Sequence, residues 1–149
     1  MPDAATAKPR AVCRRLRAGE AFVGKQGFTY AAAVSAESVG ASAIHMQLLT
    51  VPPGGRAKAH KHEAHETALY VLSGEVGMYY GEKLENHMVT RAGDFVYIPA
   101  DTPHLPYNMS ATEPATAVVS RTDPNEQESV VLLPELDRVH DGGRSAGKT

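Results

Sequence analysis

Cysteine is nearly absent from this chain of 149 residues, which contains only Cys13. An internal disulfide is therefore excluded, and so is a zinc site built from several thiolates. Any metal that the protein binds must be held by histidine and carboxylate side chains. Imidazole and carboxylate ligands together suit zinc, iron, manganese, nickel and cobalt.

The chain also lacks an excess of positive charge and long apolar runs. Its 15 Lys and Arg residues are balanced by 17 Asp and Glu residues, which gives a formal charge of -2. The field that steers proteins onto nucleic acid is therefore missing. No segment approaches the roughly 20 apolar residues of a membrane span, and the N-terminus has no apolar stretch of signal-peptide length. We expect a cytoplasmic protein without nucleic-acid or membrane partners.

Several well-known catalytic motifs are missing as well. The sequence contains no Ser-x-x-Lys motif, nucleophile elbow, phosphate-cradling loop or dinucleotide fingerprint. These absences argue against covalent hydrolases, kinases and nicotinamide-dependent enzymes. Any chemistry is therefore expected to be that of a bound metal.

Helical periodicity is hard to find, whereas short runs of Val, Ile, Leu and Tyr alternate with turn residues throughout. The pattern predicts an all-β, single-domain jelly roll or sandwich. Residues 21–140 are expected to form the barrel, between a flexible N-terminal arm at 1–20 and a disordered tail at 141–149. The Ala-, Gly- and Ser-rich segment 22–40 either adds an edge strand or swaps onto a partner subunit. The predicted strands span residues 44–51, 58–62, 68–72, 76–80, 87–91, 94–98, 105–109, 115–121 and 129–133.

A group of imidazole and carboxylate side chains has the spacing of a metal site. Side chains alternate across a strand with a period of two, so both imidazoles of a His-x-His pair point to the same face. A distant third histidine is typical of mononuclear sites that keep one position open for substrate. The candidate ligands are His60, His62, His65, Glu66 and His104.

These residues belong to two wider patterns. The first contains Gly54, His60, His62, Glu66 and Gly74, and the second contains Gly93, Pro99, His104 and Asn108. Together they resemble the two sequence motifs of the cupin superfamily, whose members are jelly-roll β-barrels that carry one metal in the barrel mouth. The resemblance implies a cupin barrel in which His60, His62 and His104 bind a divalent metal (Zn, Fe, Mn or Ni) and Glu66 completes the ligand set.

The sequence departs from the family pattern at two places. Asp101 replaces the usual glycine of the second motif, which a turn tolerates because Asp adopts left-handed backbone readily. In the first motif, seven residues rather than the usual six separate Glu66 from Gly74, so Thr67 occupies the expected glutamate position. Strict alternation then points His65 at the metal, whereas a β-bulge restores Glu66. We favour Glu66 and keep His65 as a rival or additional ligand.

Other candidate residues carry weaker signals. Lys58 has the same strand parity as His60 and His62, and Tyr97 lies in an apolar run at 95–98, so both are candidates for substrate binding. The inward stripe of Leu69 and Val71 favours a small, partly hydrophobic or aromatic substrate. No role is assigned to the remaining histidines, which are His45, His87 and His140.

These patterns predict a metal-dependent protein that acts on a small organic molecule. With iron it would be an oxidoreductase of the dioxygenase class, and with zinc, manganese or nickel an isomerase or lyase. The alternative is a non-catalytic cupin that binds a small ligand or serves as an accessory protein. A homodimer is expected, because the outward stripe of Ala68, Tyr70 and Leu72 and the strand at 130–133 offer apolar surface.

Overall fold

The computed structural model describes residues 11–19 and 21–141 and is built almost entirely from antiparallel β-strands. The all-β prediction is therefore confirmed. The expected N-terminal arm lies outside the described residues at positions 1–10 and 20, and the expected tail lies outside them from position 142 onward.

Two sheets face each other. The six-stranded sheet has the order β1-β2-β3-β10-β5-β8, and the five-stranded sheet has the order β11-β4-β9-β6-β7. The first comprises β1 (Ala21–Val23), β2 (Thr29–Val34), β3 (His45–Val51), β5 (Thr67–Ser73), β8 (Phe95–Ile98) and β10 (Ala115–Arg121). The second comprises β4 (His60–Lys61), β6 (Glu75–Tyr80), β7 (Asn86–Arg91), β9 (His104–Asn108) and β11 (Val131–Leu132). A short helix, α1 (Ala36–Val39), follows β2, and a 3-10 turn at Pro134–Leu136 follows β11.

Every predicted strand overlaps an observed one. The agreement is poorest at 58–62 and 129–133, where only His60–Lys61 and Val131–Leu132 join the sheet. The Ala-rich segment 22–40 lies largely in β1, β2 and α1, and the first two of these form one edge of the six-stranded sheet. The expectation of an added edge strand thus holds within the chain itself.

The core lies between the inner faces of the two sheets. Burial alternates strictly along β3, and the pattern along β10 has the same period. Alternation with a period of two turns one face of each strand toward the interior. The main cluster of buried side chains contains Phe28, Tyr30, Leu49, Val51, Ala57, Ala115, Ala117 and Val119, and a smaller cluster contains Ala59, Leu84 and Leu105.

The turn at Asp101 secures the strand that carries the histidine pair. Asp101 has a φ of 60°, which confirms that it adopts the left-handed conformation expected at this position. Its backbone N–H donates to the carbonyl of His62 (2.6 Å), and its carboxylate lies 2.8 Å from Nζ of Lys61. The turn therefore holds the loop before β9 against the His-x-His segment.

The outer face of the six-stranded sheet exposes a set of large apolar side chains. Strand register places Tyr70 beside Phe95, whose rings have centroids 4.8 Å apart. We call this set the outer apolar face, and it comprises Met46, Leu48, Tyr70, Leu72, Phe95 and Tyr97. Among the described residues, no helix is long and apolar enough to span a membrane.

Candidate metal centre

Three buried imidazoles converge at one end of the five-stranded sheet. His60 in β4 and His104 in β9 are direct register partners, and His62 follows two positions after His60. The ring centroids of His60 and His104 are 4.2 Å apart, and those of His62 lie 5.0 and 5.1 Å from them. One nitrogen from each ring lies within 4.8 Å of the others. The predicted convergence of these three side chains is present in the structure.

A hydrogen bond at Nδ1 orients each ring. Nδ1 of His60 donates to the carbonyl of Lys58 (2.7 Å), and Nδ1 of His104 donates to the carbonyl of Thr102 (2.9 Å). Nδ1 of His62 makes a longer bond to the carbonyl of Ser129 (3.4 Å). With Nδ1 protonated and bonded, the lone pair lies on Nε2. Metal-ligating histidines typically show this arrangement, in which the second ring N–H is held by a carbonyl or carboxylate.

The surroundings keep the three rings neutral. Burial, followed by the neighbouring His104 and His62 rings, holds the pKa of His60 well below its ordinary value. Burial also lowers the pKa of His62, and it lowers the pKa of His104 to about 4. Neutral imidazoles retain the lone pair that a metal needs, so the donor set fits a divalent transition metal.

Glu66 does not join this cluster. Its side chain is exposed, and its carboxylate accepts a hydrogen bond from the hydroxyl of Tyr97 (2.7 Å). Strand β5 pairs in regular register from Thr67 onward at this end, without the bulge that would turn Glu66 inward. Thr67 therefore faces the interior, and the structure places Glu66 on the opposite side of the sheet, contrary to the expectation that it completes the ligand set.

His65 is buried and contacts a carboxylate that the sequence did not indicate. Its ring centroid lies 4.7 Å from that of His62, and its Nε2 donates to Oε2 of Glu128 (2.7 Å). The same carboxylate oxygen lies 3.2 Å from Nδ1 of His62. His62, His65 and Glu128 thus form a second group of possible ligands that shares His62 with the first.

The loop at 122–130 carries Glu128, and the buried Arg121 holds this loop in place. The guanidinium of Arg121 donates to the carbonyls of Asp123 (3.1 Å) and Asn125, and its Nε lies 3.8 Å from Oε2 of Glu128. The carboxylate of Asp123 accepts from the backbone N–H of Ser129 (2.9 Å). Burial acts to raise the pKa of the Glu128 carboxyl, but the hydrogen bond from His65 and nearby positive charge lower it on balance. Glu128 is therefore an ionised carboxylate beside the histidines.

The two candidate substrate-binding residues lie away from the interior. Lys58 is exposed and Tyr97 is 60% exposed, and neither lines the cavity beside the histidines. Strand parity placed Lys58 with His60, but the regular strand begins only at His60, so parity does not extend back to Lys58. Tyr97 faces outward because its neighbours Val96 and Ile98 face the cavity.

The three histidines and Glu128 border a cavity of about 80 Å³ between the sheets. Two polar side chains on its wall have a buried oxygen that finds no hydrogen-bond partner within the described part of the chain, namely Oε1 of Gln47 and Oγ1 of Thr67. The remaining wall is largely apolar and includes Phe28, Leu49, Val51, Leu69, Val71, Val76, Met78, Met88, Val96, Ile98 and Val119. The site is therefore a small apolar chamber with histidines and one carboxylate at its polar end.

Comparisons with known proteins agree with this architecture. Residues 47–120 match the family model of the cupin domain. Comparison with curated proteins finds no match. The structure of a serine-to-alanine mutant of Bacillus subtilis oxalate decarboxylase is similar to this chain, with a TM-score of 0.61 and 22% sequence identity. The alignment covers 74% of this chain and 29% of the mutant's chain. That enzyme has Mn(II) centres.

Two further solved structures show the same fold. The Lactobacillus farciminis oxalate decarboxylase–formate complex aligns over 76% of this chain and 33% of its own, with a TM-score of 0.62 and 18% identity. A conserved Klebsiella pneumoniae protein with a double-stranded β-helix domain aligns over 73% of this chain and 86% of its own (TM-score 0.58, 17% identity). This chain therefore spans about a third of the length of the oxalate decarboxylases.

The fold and the histidine cluster define a double-stranded β-helix with a candidate metal centre at one end of the barrel. The chain belongs to the cupin superfamily.

Proposed function

We propose that this cupin binds one divalent transition metal through His60, His62 and His104 and acts on a small organic molecule in the adjoining cavity. The observation that carries the proposal is the set of three buried, neutral imidazoles whose Nδ1 atoms are bonded to carbonyl oxygens. Zinc, iron, manganese and nickel all suit these ligands. Three protein ligands leave positions for water or for a substrate oxygen.

A bound metal of this kind polarises a substrate carbonyl or lowers the pKa of a bound water, and iron also supports oxygen chemistry. The chain's own residues would orient the substrate and exclude water. The apolar wall packs against the substrate's carbon skeleton, and Glu128 lies where a carboxylate can hold His62 in place. These features support an oxygenase of the dioxygenase class or an isomerase or lyase.

The second candidate is a non-catalytic cupin that binds a small ligand or serves as an accessory protein. The apolar character of the cavity favours it as much as it favours catalysis, because the wall offers few groups for proton transfer besides Glu128. Oxygen uptake and turnover separate the two. Stoichiometric iron with oxygen consumption supports the oxygenase, whereas tightly held zinc without turnover supports the binding protein.

Metal analysis tests the proposal that both candidates share. The purified protein should contain about one equivalent of metal after loading and desalting, and His60→Ala combined with His62→Ala should remove it. His87→Ala is the matched control, because His87 is exposed on β7 and bonds to the hydroxyl of Tyr107 (2.7 Å). Retention of metal by the double variant would show that the ligand assignment is wrong. Circular dichroism should show the barrel still folded, since apolar burial supports it.

A further inference from the structure

The side chains that line the cavity beside the histidines determine which charges it can accept. Among the described residues that line it, none is lysine or arginine. Arg121 lies behind Glu128, and its guanidinium is already bonded to backbone carbonyls of the loop at 122–130. A small anion that entered this cavity would find no cationic side chain among these described lining residues to pair with. Burial of an unpaired charge in an apolar environment is strongly unfavourable.

Glu128 adds a negative charge at the polar end of the same cavity. Its side chain is 11% exposed, and it borders the cavity together with His60, His62 and His104. Like charges in a poorly screened environment repel each other more strongly than they do in water. The protein side chains around the cavity therefore disfavour anions such as small carboxylates.

Gln47 and Thr67 favour a ligand that donates a hydrogen bond. Gln47 on β3 and Thr67 on β5 flank the central strand β10, and they are 3% and 6% exposed. Oε1 of Gln47, an acceptor, and Oγ1 of Thr67, which can both donate and accept, are buried and have no hydrogen-bond partner among the described residues, although both residues line the cavity. A buried acceptor without a partner is costly, and a ligand that donates a hydrogen bond removes that cost.

The size of the cavity limits the ligand. Its volume of about 80 Å³ is roughly half that of an apolar cavity that holds benzene. The apolar part of a bound molecule is therefore about three or four non-hydrogen atoms, with its polar group directed toward Gln47, Thr67 or the histidines.

We propose that this cavity takes a small, neutral, mainly apolar molecule that carries an N–H or O–H donor, with Gln47 as its main hydrogen-bond partner, and that its protein side chains, in the absence of a metal, disfavour small anions. The inference rests on the proposed function, because the ligand would lie beside the proposed metal. Without a metal, the same preference would also act against a dianion such as oxalate.

Three probes of nearly equal shape test the proposal by NMR titration of the full-length protein. Propionamide offers an N–H donor, butanone replaces the amide nitrogen by a methyl group, and propionate carries a negative charge. Titrations of chelator-treated protein are decisive, because a metal would itself attract propionate. Propionamide should bind about fivefold more tightly than butanone, and propionate should bind at least about tenfold more weakly than propionamide.

Variants then connect the preferences to individual side chains. Gln47→Leu should abolish the advantage of propionamide over butanone while butanone still binds. Glu128→Gln should strengthen propionate binding, and Glu66→Gln, a matched carboxylate change outside the cavity, should change nothing. If Gln47→Leu does not fold, nuclear Overhauser contacts between propionamide and the Gln47 amide of the wild type provide the same test.

The proposal is overturned if propionate binds the metal-free protein as tightly as propionamide, if no probe perturbs the cavity residues, or if Gln47→Leu retains the amide preference. Metal content is measured separately on the same preparations. Amide selectivity in a protein that fails to bind metal would sustain the cavity inference and refute the proposed function. Stoichiometric metal without amide selectivity would support the proposed function and refute the cavity inference.

Discussion

His60 and His104 are oriented by the same local device. In each case Nδ1 donates to the carbonyl two residues earlier in the chain, at Lys58 and at Thr102. The bond fixes both the tautomer and the direction of the ring, so the site is organised by its own backbone. His62 depends instead on the loop at 122–130, through the carbonyl of Ser129 and the carboxylate of Glu128.

This difference predicts unequal effects of the nearby carboxylates on metal affinity. Glu128→Gln should weaken metal binding about tenfold, because it removes the negative charge beside His62. His65→Ala should also weaken metal binding, since loss of its hydrogen bond leaves Glu128 less firmly held beside His62. Glu66→Gln should have no effect, because Glu66 is exposed and bonds to Tyr97. Competition with a chromophoric chelator measures all three affinities.

The opposite order would contradict the structure. If Glu66→Gln lowered metal affinity more than Glu128→Gln did, Glu66 would be the metal ligand that the family pattern implies, turned inward by a β-bulge.

His45 predicts an acid sensitivity that is separate from the metal centre. It is fully buried, and neither ring nitrogen has a hydrogen-bond partner among residues 11–19 and 21–141. Burial together with the nearby Arg121 lowers its pKa to about 4. The unfolded chain therefore takes up this proton before the folded one, so the free energy of unfolding decreases as the pH falls from about 6.5 to about 4. His45→Leu should reduce the loss of unfolding free energy between pH 7 and pH 5 by about 2 kcal/mol.

Urea unfolding of chelator-treated protein at the two pH values measures this effect. His87→Leu, at an exposed position, is the control and should leave the pH dependence as it is in the wild type. An unchanged pH dependence in His45→Leu would show that His45 does not resist protonation in the folded state.

At the scale of elements, residue composition and turn residues explain which features the sequence could predict. β3, β5 and β10 are runs of mostly apolar and β-branched residues that end at Gly, Pro or polar turns, so their bounds are visible in the sequence. β1 and β2 lie in an Ala- and Gly-rich segment whose pairing depends on the neighbouring β3. Propensity alone gives no signal there.

The candidate site divides in the same way. His60, His62 and His104 follow from spacing, because two come from one strand end and the third from a turn with its own motif. Glu128 lies in an irregular loop, and only the tertiary bonds of Arg121 and Asp123 bring it to His65. The one signal in the sequence is Thr67 at the expected glutamate position, which leaves that position without a carboxylate. The spacing favours Glu66 in its place, with His65 as a rival, and does not indicate a ligand from another segment.

The turn between β5 and β6 predicts a stability effect. Gly74 has a φ of 85°, and a Cβ there would lie 2.8 Å from Cβ of Ala115. Gly74→Ala should therefore lower the free energy of unfolding by about 3 kcal/mol, through backbone strain and overpacking together.

Gly54 provides the matched control for this variant. It has a φ of 68°, but a Cβ there would meet no atom within 4 Å. Gly54→Ala should cost only about 1 kcal/mol, from backbone strain alone. Equal destabilisation of the two variants, measured by denaturant unfolding, would show that contact with Ala115 contributes nothing.

At the scale of the whole molecule, the two sheets contribute different residues to the candidate site. The five-stranded sheet carries His60 and His104, whereas the six-stranded sheet provides Gln47, Thr67 and much of the apolar wall. The loop at 122–130 connects the two sheets and places Glu128 between them. A chamber between two sheets would hold both the proposed metal and its ligand in fixed positions.

The outer apolar face predicts a homodimer, which we propose as the state of the protein in solution. Tyr70, Leu72 and Phe95 are 37%, 46% and 81% exposed on one side of the six-stranded sheet, and adjacent apolar groups of this kind mark interaction surfaces. Sedimentation equilibrium should give twice the chain mass of 15.9 kDa. Tyr70→Glu combined with Phe95→Glu should give the monomer mass.

Leu132 tests the other surface that the sequence indicated. It lies in β11 at the edge of the five-stranded sheet and is 40% exposed. Leu132→Glu should leave the dimer intact if the outer apolar face forms the interface. Dissociation caused by Leu132→Glu alone would assign the interface to β11 instead.

Anomalous diffraction from metal-loaded crystals tests the central claim most directly. Data collected on either side of the absorption edge of the loaded metal should show one strong peak about 2.0–2.3 Å from Nε2 of His60, His62 and His104, with Nδ1 of each ring still bonded to its oxygen acceptor. A peak at His62, His65 and Glu128, or no peak between the three histidines, would contradict the account.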